Sequence, residues 1–145
     1  MKKLLLLLTL FLSVTTSNLS AGWHINQAEA EDTTVVGVTS GYISGVSAAV
    51  MCGLIGRAVK LAATNKMELE DALCLVAGIS LSAGVSAGTF ENLKNCAKRL
   101  NWGNYRALGV FTEVTGSTAA LCGWGYGLVL GAKEILAIPI ALPLL

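Results

Sequence analysis

The chain has 145 residues, a formal net charge of +1, 54% hydrophobic residues and only 13% charged ones; the charged share is about half of the quarter usual in soluble domains. A chain of this length suggests one domain. Its long uncharged stretches argue against an ordinary water-soluble helical protein, and the absence of a polybasic patch argues against nucleic acid as a partner.

Met1-Lys2-Lys3 followed by the apolar run 4–12 has the form of a secretory signal, a basic start before an apolar stretch too short to span a bilayer. Cleavage after Ala21 makes residues 1–21 a removable signal peptide. Loss of Lys2 and Lys3 lowers the ten basic residues to eight, against nine acidic ones. Residues 22–34 (GWHINQAEAEDTT) are polar and acidic and are expected to form a flexible exported N-terminal segment. Residues 35–137 form the expected membrane domain, and Pro139 and Pro143 end regular structure in an apolar tail, 138–145.

Charge is absent from 33–56, 72–90, 114–132 and 135–145. Within the first three windows small residues recur at steps of four, which share one helix face, and alanine is abundant, so helices are predicted over strands. Helix one is predicted over 35–63. Asn65 with Glu68 three residues on resembles a capping box that opens helix two. Glu68, Glu70 and Asp71 then sit where the helix dipole favours negative charge. Helix two carries the window 72–90 and continues as an amphipathic stretch through 91–100. Asn101-Trp102-Gly103-Asn104 reads as a turn, and helix three as 105–137. Short turns make successive helices antiparallel.

The ladders are Gly37, Gly41, Gly45, Ala49 and Gly53 in helix one, and Ser80, Gly84 and Gly88 in helix two. Helix three has Gly116 with Ala120 on one line and Ala119, Gly123, Gly127 and Gly131 on the next. Each is a groove poor in side chains. Glycine costs an exposed helix about 1 kcal/mol against alanine, and the usual compensation is close helix contact in a membrane. The ladders resemble the glycine-zipper pattern shared by many unrelated membrane proteins. That resemblance implies tight helix packing and, often, oligomers. With about one groove per helix, internal packing suffices; self-association into a homo-oligomer is the second use.

Trp102 and Tyr105, beside Arg99 and Arg106, are read as an interfacial anchor. Glu113 is the one carboxylate set within the apolar part of helix three and is the candidate intramembrane acid, with a place near the headgroups as the plainer reading. Trp124 and Tyr126 alternate with Gly123, Gly125 and Gly127, as rings filling a neighbouring groove would. Topology is awkward. With the N-terminus outside, Arg57, Lys60 and Lys66 lie inside, as the positive-inside tendency prefers, but the second loop then carries Lys94, Lys98, Arg99 and Arg106 outside.

Catalytic sets are missing from the sequence. His24 is the only histidine, so any Ser-His-Asp or Cys-His arrangement must use it. Gly123-Trp124-Gly125-Tyr126-Gly127 lacks the setting of a dinucleotide loop. Cys52, Cys74, Cys96 and Cys122 form no CxxC pair and read as small hydrophobes rather than metal ligands. The expectation is an all-α, antiparallel three-helix hairpin bundle with glycine-zipper packing, embedded in a cell-envelope membrane after export. It has no cofactor, metal or evident small-molecule substrate and is not an enzyme; its partners are the lipid bilayer and further copies. The alternatives are a secreted pore-forming or toxin-like protein, and a soluble exported helical interaction module.

Overall fold

A computed structural model describes residues 25–138; residues 1–21, expected to be a signal peptide, His24 and the tail from Pro139 lie outside them. The described residues form three helices packed together, α1 (Gln27–Ala63), α2 (Leu69–Trp102) and α3 (Arg106–Leu136), and contain no strand.

α1 begins eight residues before the predicted start. Asn26 caps it: the Asn26 side chain accepts a hydrogen bond from the Glu29 amide at 2.8 Å, which satisfies one of the free donors of the first turn. Residues 27–34, expected to be flexible, are therefore helical. The hydroxyls of Thr33 and Thr34 return to the carbonyls four residues back, Ala30 is buried, and Glu29 pairs with Arg99 of α2. A polar composition concealed a capped and packed helix start.

The first turn also departs from expectation. Asn65 does not open α2; it closes α1. With φ at 51° it lies in the left-handed region, where asparagine is tolerated. Its amide bonds to the Ala62 carbonyl and that of Lys66 to the Leu61 carbonyl, the paired bonds of a Schellman motif. Glu68 is the N-cap of α2, without a side-chain bond to the helix. The second turn repeats the device one residue later than a four-residue reading suggests. α2 runs through Trp102, Asn104 has φ of 66°, and the Tyr105 amide reaches back to the Leu100 carbonyl.

Successive helices run antiparallel, so α1 and α3 run parallel, and they form the most extensive pairing in the bundle. The interior has two zones. At the end holding the α1 N-terminus, Ile25, Ala30 and Leu100 form a buried apolar cluster with Tyr105 and Leu108 against it. Farther along, the buried residues include Ser40, Gly41, Ser44, Gly45, Ser47, Ala48, Cys52 and Gly56 of α1, Ser86 of α2, and Gly116, Ala120, Gly127 and Gly131 of α3, with Leu75 of α2 as a large side chain among them. Most large apolar side chains there point outward. Val46 is 63% exposed and Leu121 71%.

Candidate functional site

The seam between α1 and α3 is built from missing side chains. A Cβ on Gly45 would stand 2.6 Å from the Ala119 carbonyl oxygen, and one on Gly56 2.6 Å from that of Gly131. One on Gly127 would stand 2.6 Å from Ala49 Cα. Gly41 faces the Gly116 backbone, and Gly123 faces that of Gly45, inside van der Waals contact. Gly116 is also where the third helix enters. A Cβ on it would lie 2.5 Å from Leu93 Cδ1 of α2, and Leu93 is wholly buried. Gly37 faces Thr112 and Cys96 in the same way.

Gly53, the last member of the α1 ladder, lies outside this seam for a geometric reason. A step of four overshoots the 3.6-residue turn by about 40°, so a ladder in strict fours rotates out of a straight contact. By Gly53 the rotation is complete: a Cβ there meets nothing within 4 Å, and Cys52 and Gly56 take over the contact. In α3 the same drift is met by changing lines, from Gly116 and Ala120 to Gly123, Gly127 and Gly131. The α2 ladder is not used within the chain. Gly84 and Gly88 meet nothing within 4 Å, and Ser80, Gly84 and Gly88 are all exposed. The contact face of α2 is instead Leu75, Ser86, Thr89, Leu93, Cys96, Ala97 and Leu100.

α1 and α2 meet through hydroxyls. Ser44 Oγ donates to the Ser86 carbonyl at 2.9 Å, and Ser86 Oγ donates to the Ser44 carbonyl at 3.1 Å. Asn92 Nδ2 donates to Ser40 Oγ at 2.9 Å. The buried threonines Thr89 and Thr112 spend their hydroxyls on the carbonyls four residues back, the usual way a helical threonine is satisfied. At the far end Lys60 Nζ donates to Glu134 Oε2 at 3.0 Å and joins α1 to α3. The hydrogen bond and the charge of Lys60 hold the Glu134 carboxyl below its ordinary value.

These pairings put the three uncharged windows in register. Asn92 on Ser40 and Thr112 against Gly37 set Glu91 and Glu113 at the level of residues 38–40 of α1. Arg57 and Lys133 close the other side, just beyond the Gly56–Gly131 contact. The layer from Ser40 to Gly56 is charge-free in all three helices and roughly 25 Å thick at 1.5 Å per residue, close to the roughly 30 Å hydrocarbon core of a bilayer. Glu113 is exposed on the outer face at the rim of this layer, not inside the bundle. Trp102 and Tyr105 stand roughly 15 Å beyond that rim, reckoned from the helix rise. Trp102 is 60% exposed with Lys98 over its ring, and Tyr105 packs on the Ile25–Leu100 cluster. The aromatics near the rim are Phe90, with Lys94 over its ring at 4.8 Å, and the exposed Tyr42 and Phe111. Sequence reasoning missed them because levels across helices follow from pairing, not from neighbours along the chain.

Beside the seam, α1 and α3 leave an open groove of about 830 Å³. Its walls include Tyr42, Val46 and Val50 of α1 and Tyr126 and Leu130 of α3; its floor includes Gly53 and Gly123, and its mouth is formed by Arg57, Lys133 and Glu134. Cys52 and Cys96 are buried, whereas Cys74 and Cys122 are exposed, and all four are free thiols. Among the described residues no three His, Cys, Asp or Glu side chains gather into a metal site. In comparisons with protein-family models, curated proteins and solved structures, nothing matches this chain.

Proposed function

We propose that this chain is a small exported integral membrane protein, a glycine-zipper helical bundle with a structural, assembly or permeability role and no catalysis of its own. One observation carries the reading: the bundle is apolar outside and small or hydroxylic inside across a layer of bilayer thickness. In water, large side chains would go to the core, where burying a Val or Leu is worth about 1.5–3 kcal/mol. Here Val46, Val50, Leu121, Leu128 and Val129 face outward while Ser40 and Ser44 are buried. That inversion suits lipid, where association rests on close packing and interhelical hydrogen bonds. α1 and α2 each contain a window long and apolar enough to cross a membrane. Among the described residues α3 contains no such window.

A second reading has its own observation. The outward stripe of Ser80, Gly84 and Gly88 on α2 is exposed, and its two glycines meet nothing within 4 Å among the described residues, which favours self-association of several copies within the membrane. Extraction tests the first reading: the mature protein should resist alkaline carbonate and high salt and dissolve only in detergent. Quantitative release by carbonate would leave the soluble, self-associating module as the better account. Cross-linking in detergent tests the second, with a strictly monomeric species unaffected by Gly84→Leu counting against it.

A further inference from the structure

We infer that the groove between α1 and α3 is a binding site for one anionic phospholipid, with an acyl chain along the groove and the headgroup phosphate at Arg57 and Lys133. This rests on the membrane reading above and adds a ligand to it.

Position is the first argument. The groove extends from the level of Arg57 to that of Tyr42, roughly 22 Å along α1 at 1.5 Å per residue. That exceeds the depth of one leaflet, about half of the roughly 30 Å hydrocarbon core. Apart from the Arg57, Lys133 and Glu134 side chains, its lining is apolar or backbone, with two tyrosine rings as walls. Its volume of about 830 Å³ lies within the range of sites that bury a small ligand. An occupant of the deep part must therefore be apolar and slender.

Charge is the second argument. The mouth lies at the edge of the charge-free layer, where headgroups would stand. Arg57, Lys60 and Lys133 converge there on one carboxylate, Glu134, and Lys60 is bonded to it. Arg57 and Lys133 are exposed and make no ion pair or hydrogen bond among the described residues. The mouth therefore keeps an excess of positive charge, with guanidinium and ammonium donors suited to phosphate. Beside Trp124 and Phe90, a smaller cleft of about 410 Å³ has no charged residue in its lining, and the nearby Lys94 stands over the Phe90 ring. It has one cation spent on an aromatic face where the larger groove has two cations without a bonded partner among the described residues, so the two openings are not equivalent.

The third argument is Gly53. It lies on the groove floor, outside the seam, and a Cβ there meets nothing within 4 Å. Packing of the helices does not require glycine at this position, whereas an acyl chain lying against the α1 backbone does.

The test is thermal unfolding of the full mature chain in a neutral detergent, titrated with phosphatidylglycerol or with phosphatidylcholine of the same acyl chains. Phosphatidylglycerol should raise Tm saturably, as one site, and phosphatidylcholine should bind more weakly. Gly53→Leu, which projects a branched side chain into the groove from a position where a Cβ has open space, should abolish the shift and leave the lipid-free Tm at or above the parent value. Arg57→Gln with Lys133→Gln should weaken phosphatidylglycerol binding about five-fold per cation lost and weaken that of phosphatidylcholine, whose choline offsets its phosphate, by less. Equal shifts with the two lipids, or full binding by Gly53→Leu, overturn the proposal. A matching shift with inorganic phosphate alone also overturns it, since the groove would then play no part. Co-flotation with phosphatidylglycerol/phosphatidylcholine vesicles separates the two levels of inference. A chain that floats but shows no saturable lipid shift retains its membrane role and loses this site, whereas one that does not float loses both.

Discussion

Two glycines on the same predicted ladder have opposite roles. Gly45 lies in the seam, and any side chain there drives into the Ala119 carbonyl; Gly53, two turns on, faces open space. Alanine scanning in detergent should therefore split by sign. Gly45→Ala is expected to destabilise the bundle by about 1–3 kcal/mol through overpacking. Gly53→Ala, Gly84→Ala and Gly88→Ala should be neutral or stabilise by about 0.4–1 kcal/mol through reduced backbone freedom. Denaturant unfolding of the four variants reads this directly, and a uniform loss across all four would show that the seam is not where these contacts put it. The serine pair is the second residue-scale case. Ser44 and Ser86 each donate to the other's carbonyl and their hydroxyls lie 3.3 Å apart, so each Ser→Ala change removes one carbonyl bond together with the shared hydroxyl contact. A double-mutant cycle should return a coupling near the average of about 0.6 kcal/mol found for polar contacts in membrane helices.

Among the elements, the ends of the helices decide more than their middles. Both turns are closed by an asparagine in the left-handed region, Asn65 and Asn104. Replacement by glycine should leave stability nearly unchanged, whereas a β-branched residue such as valine should cost about 1–2 kcal/mol. Melting temperatures of Asn65→Gly and Asn65→Val make the comparison. The Lys60–Glu134 tie between α1 and α3 should be sensitive to acid. Its carboxyl is held below the ordinary value of 4.5, first by the hydrogen bond from Lys60 and then by its charge. A lowered folded value means that the tie contributes above the unfolded value and is lost as pH falls through the folded one. Protection of the amides near residues 57–63 and 130–136, taken relative to their intrinsic exchange rates, should therefore fall as the pH drops below about 4.5, and Glu134→Gln should remove that step. The exposed carboxylate keeps the effect small.

For the whole molecule, the awkward charge of the second loop becomes a balance once the helices are in register. Beyond one rim lie Lys94, Lys98, Arg99 and Arg106; beyond the other lie Arg57, Lys60, Lys66 and Lys133. Basic residues divide evenly, so the positive-inside tendency gives the bundle no preferred direction. A small change should then set it: Lys94→Gln with Lys98→Gln should turn the first loop more fully to the cytoplasm. Reporter fusions at residues 66 and 104 measure this, and an orientation indifferent to the change would mean that the signal sequence alone fixes it.

Local rules left much of the fold legible in the sequence. Steps of four in small residues meant helices, the uncharged windows located their apolar lengths, and Asn with Gly marked the second turn. Those features depend on neighbours a few residues apart, and the three helices follow from them. The start of α1 was hidden because its support comes from Arg99 and Leu100, some seventy residues away. Which glycines work was hidden for a related reason. A ladder of fours drifts about 40° per step against the helix, so only a partner helix determines where it enters and leaves the contact. The chain alone suggested one groove per helix. The tertiary structure joined α1 to α3 as the close pair, left the α2 stripe bare, moved Glu113 to the rim and opened a groove above Gly53. Three helices can pair in several ways with the same local preferences, and the choice among them is made by the fit of one surface into another.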